Sequence, residues 1–368
     1  MGLIIVIGGY IESNRTIMAK KVFTIAKRSI GEGHPCFIVA EMSGNHKQDI
    51  NRAYAIIDAA KEARVDAIKV QTYTPDTLTI NSNKHWFKPP QSSLWKNQTL
   101  YQLYQSAYTP WEWLPKLKKY AEEKGLIFFS TPFDKKAVDV LEKLDVPVYK
   151  IASFENEDYD LIDYIAKTGK PVILSRGLAS IKETKGVLKT IKSAGITSIV
   201  ILHCISAYPA DIEDMNIATV ADIKTRFKVI SGLSDHSLGQ IASIAAVALG
   251  AKVIEKHLTL SRSGGGPDAS FSLEPKEMKL LVQMIRDTER CIGRVRYTAS
   301  SNEAKNRIFK RSLFVIEDIK KGERFTNENI RSIRPGYGLQ PKELSRVIGR
   351  TCNKDIKRGI PLRWSYIQ

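Results

Sequence analysis

Eight short apolar, β-branched runs recur along this chain, separated by segments of helical pattern, and that alternation limits its fold more than any other feature. The runs are CFIVAE (36–41), DAIKVQ (66–71), LIFFST (126–131), PVYKIAS (147–153), PVILS (171–175), SIVILHC (198–204), KVISGLSD (228–235) and KVIEKH (252–257). Between them lie amphipathic stretches such as NRAYAIIDAAKEAR, EWLPKLKKYAEEKG and IKETKGVLKTIKSAG. Short runs this apolar suit strands buried on both faces, and parallel strands need long, usually helical, crossovers. The pattern predicts an α/β fold, a parallel (β/α)8 TIM barrel over residues 22–295. A doubly wound open sheet is the alternative. It is disfavoured because no G-x-G-x-x-G follows the first strand and no G-x-x-x-x-G-K-[ST] occurs anywhere.

Each run also turns polar toward its C-terminal end. In chain order the polar residues are Glu41; Lys69 and Gln71; Ser130 and Thr131; Lys150 and Ser153, with Glu155 just beyond; Ser175 and Arg176; His203; Asp235 and His236; and Glu255, Lys256 and His257. The C-terminal end of such a barrel is its catalytic mouth. These ionisable groups are therefore expected to converge there.

The composition, 43% apolar and 26% charged, is that of a folded globular chain. A net charge of +17 raises nucleic acid or an anionic membrane as partners. The basic residues, however, are spread along the chain among acids, and dense clusters such as Lys116–Lys119 are short. The reading is no nucleic acid and no membrane, with a basic surface that attracts small anionic substrates. Cys36, Cys204, Cys291 and Cys352 lie far apart with no C-x-x-C, which argues against a disulfide frame or structural zinc and for a reducing cytoplasm. The opening run GLIIVIGGYI is too short to span a bilayer. It lacks a basic leader, and Glu12 follows at once. Residues 1–21 are read as an N-terminal extension.

Past the last strand, residues 296–311 resemble a linker or short helix. From Ser312 the pattern changes to short strands, Lys-Gly turns and Pro-Gly punctuation. An internal echo, EDIKKGERFTNENI against KDIKRGIPLRWSYI, predicts a small, pseudo-symmetric β-rich domain over 312–368.

Three groupings suggest chemistry. His203 and His236, at the ends of neighbouring strands, are a candidate pair for one divalent cation that polarises a carbonyl. Lys69, Lys150, Ser130, Thr131, Ser153 and Ser175 form a basic, hydroxylated set suited to phosphate oxygens. A Schiff-base lysine is the competing reading. Glu41 and Glu155 are acid and base candidates. The loop SRSGGGPDASFSLEP (261–275) offers glycines for close backbone approach to a ligand.

The motifs FIVAEMSGNH, AIKVQTYTPDTLT, FFSTPFD, YKIASFEN, HCISAYPADIEDMN, GLSDHS, ALGAKVIEKH and GGGPDASFS, in this order, resemble the sialic acid synthase family. The C-terminal segment resembles its antifreeze-like (SAF) domain. Within the family, QTYTPDTLT, SLWKNQTLYQLYQSAYTPWEW and KIASFEN look most like the pseudaminate branch. The resemblance implies condensation of phosphoenolpyruvate with the aldehyde of an open-chain N-acetylated amino-sugar, giving a nine-carbon 2-keto acid and phosphate. It implies a divalent metal, Mn²⁺ or Mg²⁺, on His203 and His236. It places phosphoenolpyruvate on Lys69, Lys150, Ser153 and Ser175, with Thr131 and Ser206 nearby. Glu41 and Glu155 would handle sugar hydroxyls and the attacking water, and Asp268 would approach the sugar tail. Arg334, in SIRPGYG, would reach the partner's sugar in a domain-swapped homodimer. Two positions depart from the pattern. Arg176 stands where the family has a small Thr, adding a cation beside the phosphate site or pointing outward. HCISAYP replaces the KCTSTYP of the pseudaminate branch.

Overall fold

The computed structural model describes residues 21–368, and the expected extension over 1–21 lies outside them except for Lys21. Each expected run forms a strand: β3 (Phe37–Glu41), β4 (Ala67–Thr72), β5 (Ile127–Pro132), β6 (Tyr149–Ile151), β7 (Val172–Ser175), β8 (Ile199–Cys204), β9 (Ile230–Asp235) and β10 (Val253–His257). All pair in parallel, and β10 returns to β3 to close the barrel. The run at 147–153 is cut short, since Ser153 begins a 3-10 turn, Ser153–Glu155.

The period-2 pleat sorts every strand. On β3, Phe37 and Val39 pack inside the barrel with Ala67, Phe129, Val148, Ile173, Val200, Ile230 and Val253. The alternate residues Ile38 and Ala40 pack outside, against the helices. The helix Ile50–Ala63 is typical of the outer layer. Asp49 caps it by accepting from the Asn51 amide, and Ala53, Ile56, Ile57 and Ala60 form its buried stripe. Gly232 on β9 has no room for a side chain, because a Cβ there would lie 2.3 Å from the Val253 carbonyl oxygen.

Ahead of the barrel lies a hairpin the sequence reading missed, β1 (Val22–Ile25) with β2 (Arg28–Gly31). Its Ile25 and Ile30 join the inner cluster with Phe37, Ala67, Ile230 and Val253, which begin or nearly begin their strands. The hairpin therefore plugs the N-terminal end, and the polar residues lie at the other.

The barrel unit ends at Gly293, and a second unit spans Arg294–Gln368. It begins with the short helix Ser301–Lys305 and contains the antiparallel pair β11 (Ser312–Val315) and β12 (Ile330–Ile333). Leu313, Val315, Phe325, Ile330, Val347 and Leu362 form its core. The two echoes meet each other: Ile319 bridges Ile356, and Asp318 pairs with Lys357 (2.6 Å) as Lys320 pairs with Asp355 (3.0 Å). Gly322 and Gly359, one in each echo, share the left-handed φ values of +90° and +88°.

Truncating the plug should loosen the whole barrel. Ile30→Ala is expected to cost about 2–5 kcal/mol, read as a lower urea midpoint at unchanged slope. A loss below about 1 kcal/mol would mean that the hairpin is not part of the inner core.

Candidate active site

Along each strand the inward face runs from apolar to polar. Glu41, Lys69, Gln71, Thr131, Lys150, Ser175, Cys204, Ser234, Glu255 and His257 continue the inward alternation of their strands, and His236 follows Ser234 by two. At the centre is a buried charge ladder. Lys69 Nζ lies 2.6 Å from Glu41 Oε2 and 3.6 Å from Glu255 Oε1, and Lys150 Nζ lies 3.9 Å from the same Glu255 oxygen. Gln71 donates to Glu41 (3.1 Å), Ser234 donates to Glu255 (3.1 Å) and Lys69 donates to Thr131 (3.2 Å). Glu255 Oε2 and Ser175 Oγ have no hydrogen-bond partner among the described residues, although both are buried.

The electrostatics follow from this order. Burial acts against the charge of Lys69, but Glu255 and Glu41 more than offset it and hold the amine above its ordinary range. Burial lowers Lys150, and the attraction of Glu255, set against a smaller repulsion from Lys69, does not make up for it. Burial pushes Glu41 up to about 6 against the pull of Lys69. Glu155, in the turn after β6, is pushed up to about 7 by burial, with Lys150 acting in the other direction.

Ser153 and Ser206 meet at 2.8 Å, below Gly177, whose missing Cβ would strike both. Asn156 fixes this corner by donating to the carbonyls of Ser153 and Ser175, each at 2.8 Å. The loop at 261–275 is built in place. Trp95 donates its indole N–H to the Pro267 carbonyl (2.8 Å), and Asn45 and Ser272 tie its far side. Asp268 is raised by burial and held by Ser43 and the Gly44 amide, with Oδ2 3.8 Å from His257 Nδ1. Tyr208 stacks on His236 at 4.4 Å between centroids.

The two candidate metal ligands are not brought together. His203 follows Ile199 and Ile201, which face the outer layer, and its Nε2 lies 2.7 Å from the carbonyl of Met215. The inward residue at the end of β8 is Cys204. His236 instead faces His257, with ring centroids 5.4 Å apart. His236 Nδ1 lies 2.9 Å from the Ile205 carbonyl, which leaves Nε2 for another partner. Burial first, then His236 and the lysines, hold His257 well below the usual imidazole range, so its ring is neutral, as metal ligation requires.

The pleat also removes other polar strand ends from the mouth. Ser130 bonds the Val70 carbonyl and Thr72. Asp235 and Lys256 pair outside the barrel at 3.0 Å, where Asp235 also accepts from Ser237 and Ser243. Arg176 follows inward Ser175, and its charge bears on His203 and Asp222 in the outer layer. Arg334 is exposed just past β12 in the second unit. Glu255 and His257 were visible as polar strand ends but had been given no role. Counting by twos from apolar Val253 would have placed both inside.

A NeuB family model matches residues 56–297 and an SAF domain model matches residues 310–368. The chain is 44% identical over 327 residues to the pseudaminic acid synthase of Campylobacter jejuni, covering 89% of this chain and 95% of that one. It is 42% identical over 330 residues to the pseudaminic acid synthase of Helicobacter pylori, covering 89% and 96%. Among solved structures, the N-acetylneuraminic acid synthetase of Leptospira borgpetersenii superposes with a TM-score of 0.70 at 32% identity, covering 78% of this chain and 95% of that one.

The position of Glu155 predicts a pH-dependent stability. Its folded pKa of about 7 lies above the ordinary 4.5, so the folded chain holds an extra proton between those values. Its contribution to stability therefore falls as pH rises from 4.5 to 7 and is level above that. Relative to wild type, Glu155→Gln is expected to gain on the order of 3 kcal/mol across that window. Urea unfolding at several pH values checks this, and a pH-independent difference would refute the burial argument.

Proposed function

The chain belongs to the NeuB family, and from that membership and the geometry of the barrel mouth we propose that it is a pseudaminic acid synthase. It condenses phosphoenolpyruvate with 2,4-diacetamido-2,4,6-trideoxy-L-altrose and water, releasing pseudaminic acid and inorganic phosphate. The observation that carries this reading is the pair of buried lysines, Lys69 and Lys150, bridged by Glu255 and ringed by hydroxyls. The greater identity to the two pseudaminic acid synthases than to the N-acetylneuraminic acid synthetase favours the altrose sugar over those of the sister branches.

Each residue has a task in this reaction. Lys69, Lys150, Thr131, Ser153, Ser175 and Ser206 bind the phosphate and carboxylate oxygens of phosphoenolpyruvate. An arriving dianion acts against the burial that depresses Lys150 and favours its charged form. The enol carbon attacks the sugar aldehyde, and C2 becomes an oxocarbenium stabilised by the carboxylates around it. Glu41 and Glu155 orient sugar hydroxyls and the water that adds to C2, and one of them takes its proton. The tetrahedral adduct then breaks its C–O bond, and phosphate leaves toward the lysines. Asp268 lies where the sugar tail enters.

His257 Nδ1 has no hydrogen-bond partner among the described residues, His236 turns Nδ1 to the Ile205 carbonyl, and the ring spacing fits a divalent cation, so His236 and His257 take the place of the pair expected from the sequence. Mn²⁺ or Mg²⁺ held there would supply Lewis-acid polarisation of the aldehyde oxygen. Exposed Phe154, Leu178, Ile212 and Leu238 follow four consecutive barrel strands at the mouth. This apolar rim supports a homodimer in which the partner's SAF domain covers the site and brings an arginine equivalent to Arg334. The depressed amine of Lys150 also suits Schiff-base aldolase chemistry, and borohydride trapping of a pyruvate adduct distinguishes that reading.

Phosphate release from phosphoenolpyruvate should require the altrose derivative and Mn²⁺, with little from N-acetylmannosamine or the legionaminate precursor and none in EDTA. Release with a different sugar would move the chain to a sister branch, and no release with any sugar would end the synthase reading. His257→Ala is expected to lower kcat/KM about 10²–10³-fold, whereas His203→Gln should leave the metal requirement unchanged. Arg334→Ala should raise KM for the sugar more than for phosphoenolpyruvate. Equal loss of metal response in both histidine variants would restore His203 as a ligand.

A further inference from the structure

Neither side chain of the Asp235–Lys256 ion pair is exposed, and among the described residues no other ion pair is buried so completely. The two residues are cross-strand neighbours on β9 and β10, on the face turned to the helices. Two residues earlier on the same face, the cross-strand neighbours are Leu233 and Ile254, both apolar and both part of the outer core. A second apolar pair would fill the next place at less cost, because buried charges give up their water. The charges therefore need a reason beyond filling the wall.

Their hydrogen bonds supply it. His236 lies just past the end of β9, beyond the regular ladder. Asp235 Oδ1 accepts from the amide of Ser237 (2.9 Å) and from its hydroxyl (2.7 Å). Lys256 Nζ crosses from β10 and donates to the Ser237 carbonyl (2.5 Å). Both backbone polar groups of the residue after His236 are thus held by the pair. Asp235 Oδ2 also accepts from Ser243 (2.6 Å), which ties in the helix Ile241–Ala248. The His236 carbonyl accepts from the Ala210 amide at 3.0 Å. On β10 the residue after Lys256 is His257. One ion pair thus joins the two strand ends at the positions immediately before both imidazoles, and it clamps one of them from behind. Apolar side chains could pack there, but they could not direct a backbone.

We propose that Asp235 and Lys256 are positioning residues that set the distance and angle between the His236 and His257 rings for a shared divalent cation. The proposal rests on the reading of those two histidines as the cation's ligands. Neither Asp235 nor Lys256 touches the cation or the substrates. They act through the Ser237 backbone and the register of β9 on β10.

The test is the Mn²⁺ affinity of the full chain, with free Mn²⁺ counted by electron paramagnetic resonance and stability measured in parallel by urea unfolding. Asp235→Leu with Lys256→Met replaces the pair by apolar side chains and is expected to keep the urea midpoint while weakening Mn²⁺ binding about 10–100-fold. Asp235→Asn with Lys256→Gln keeps hydrogen-bonding groups but shortens the reach to the Ser237 carbonyl, and it should weaken binding less. This neutral pair decides the matter if the apolar chain does not fold. Wild-type affinity in the folded variants would overturn the proposal, as would a loss of affinity matched by a fall in urea midpoint, which would make the pair merely structural. His257→Ala separates the two readings. If it weakens Mn²⁺ binding and the double variants do not, only the positioning role fails, and if it binds Mn²⁺ as wild type does, the ligand reading fails and takes the positioning role with it.

Discussion

The candidate site depends on one buried arrangement, the alternation Glu41–Lys69–Glu255–Lys150 across the barrel interior. None of these four charges could be buried alone at tolerable cost. Each is placed so that its neighbour has the opposite sign, Gln71, Thr131 and Ser234 add hydrogen bonds to Glu41, Lys69 and Glu255, and Glu255 Oε2 is left without a partner among the described residues. The order is not symmetric. Lys69 sits between two carboxylates and is held firmly charged, whereas Lys150 shares one and is depressed. A site for a phosphate ester needs such an imbalance.

This arrangement needs a barrel whose interior is divided along its axis. The hairpin supplies Ile25 and Ile30 to the base, and the first inward residue of most strands is apolar. That packing excludes water from below and leaves the polar layer open only at the top. The pleat then decides which side chains belong to the layer. It explains the acid and the imidazole at the end of β9: Asp235 serves the outer wall with Lys256, and His236 serves the mouth.

Much of this was legible in the sequence, and the failures share a cause. The strands are short, apolar and bounded by turn residues, so the barrel could be read directly. The polar strand ends mark the mouth as a region, but residue type alone does not say which face of its strand each one takes. Lys69, Lys150 and Ser175 lie on the inward alternation, and His203 and Ser130 do not. The rule that separates them, counting by twos from an apolar inward residue, was available from Val200 and Leu202 for β8 and from Val253 for β10. The hairpin was missed for a different reason. VFTIAKRSIG carries one buried apolar side chain on each strand, Ile25 and Ile30, and its turn uses Ala26 at φ 52° instead of a turn-forming glycine or asparagine.

Net charge proved a poor guide to chemistry, for a physical reason. Exposed lysines act on a ligand through screened water, and their influence fades within about 10 Å at moderate salt. Of 56 basic residues, the two lysines of the ladder are buried in the mouth beside fixed carboxylates. At low effective dielectric the same charge is worth several times more, and its position is fixed before the substrate arrives. The surplus of +17 can raise the local concentration of an anion such as phosphoenolpyruvate. It cannot distinguish a phosphate ester from any other anion, and that selection falls to the few groups the pleat turns inward.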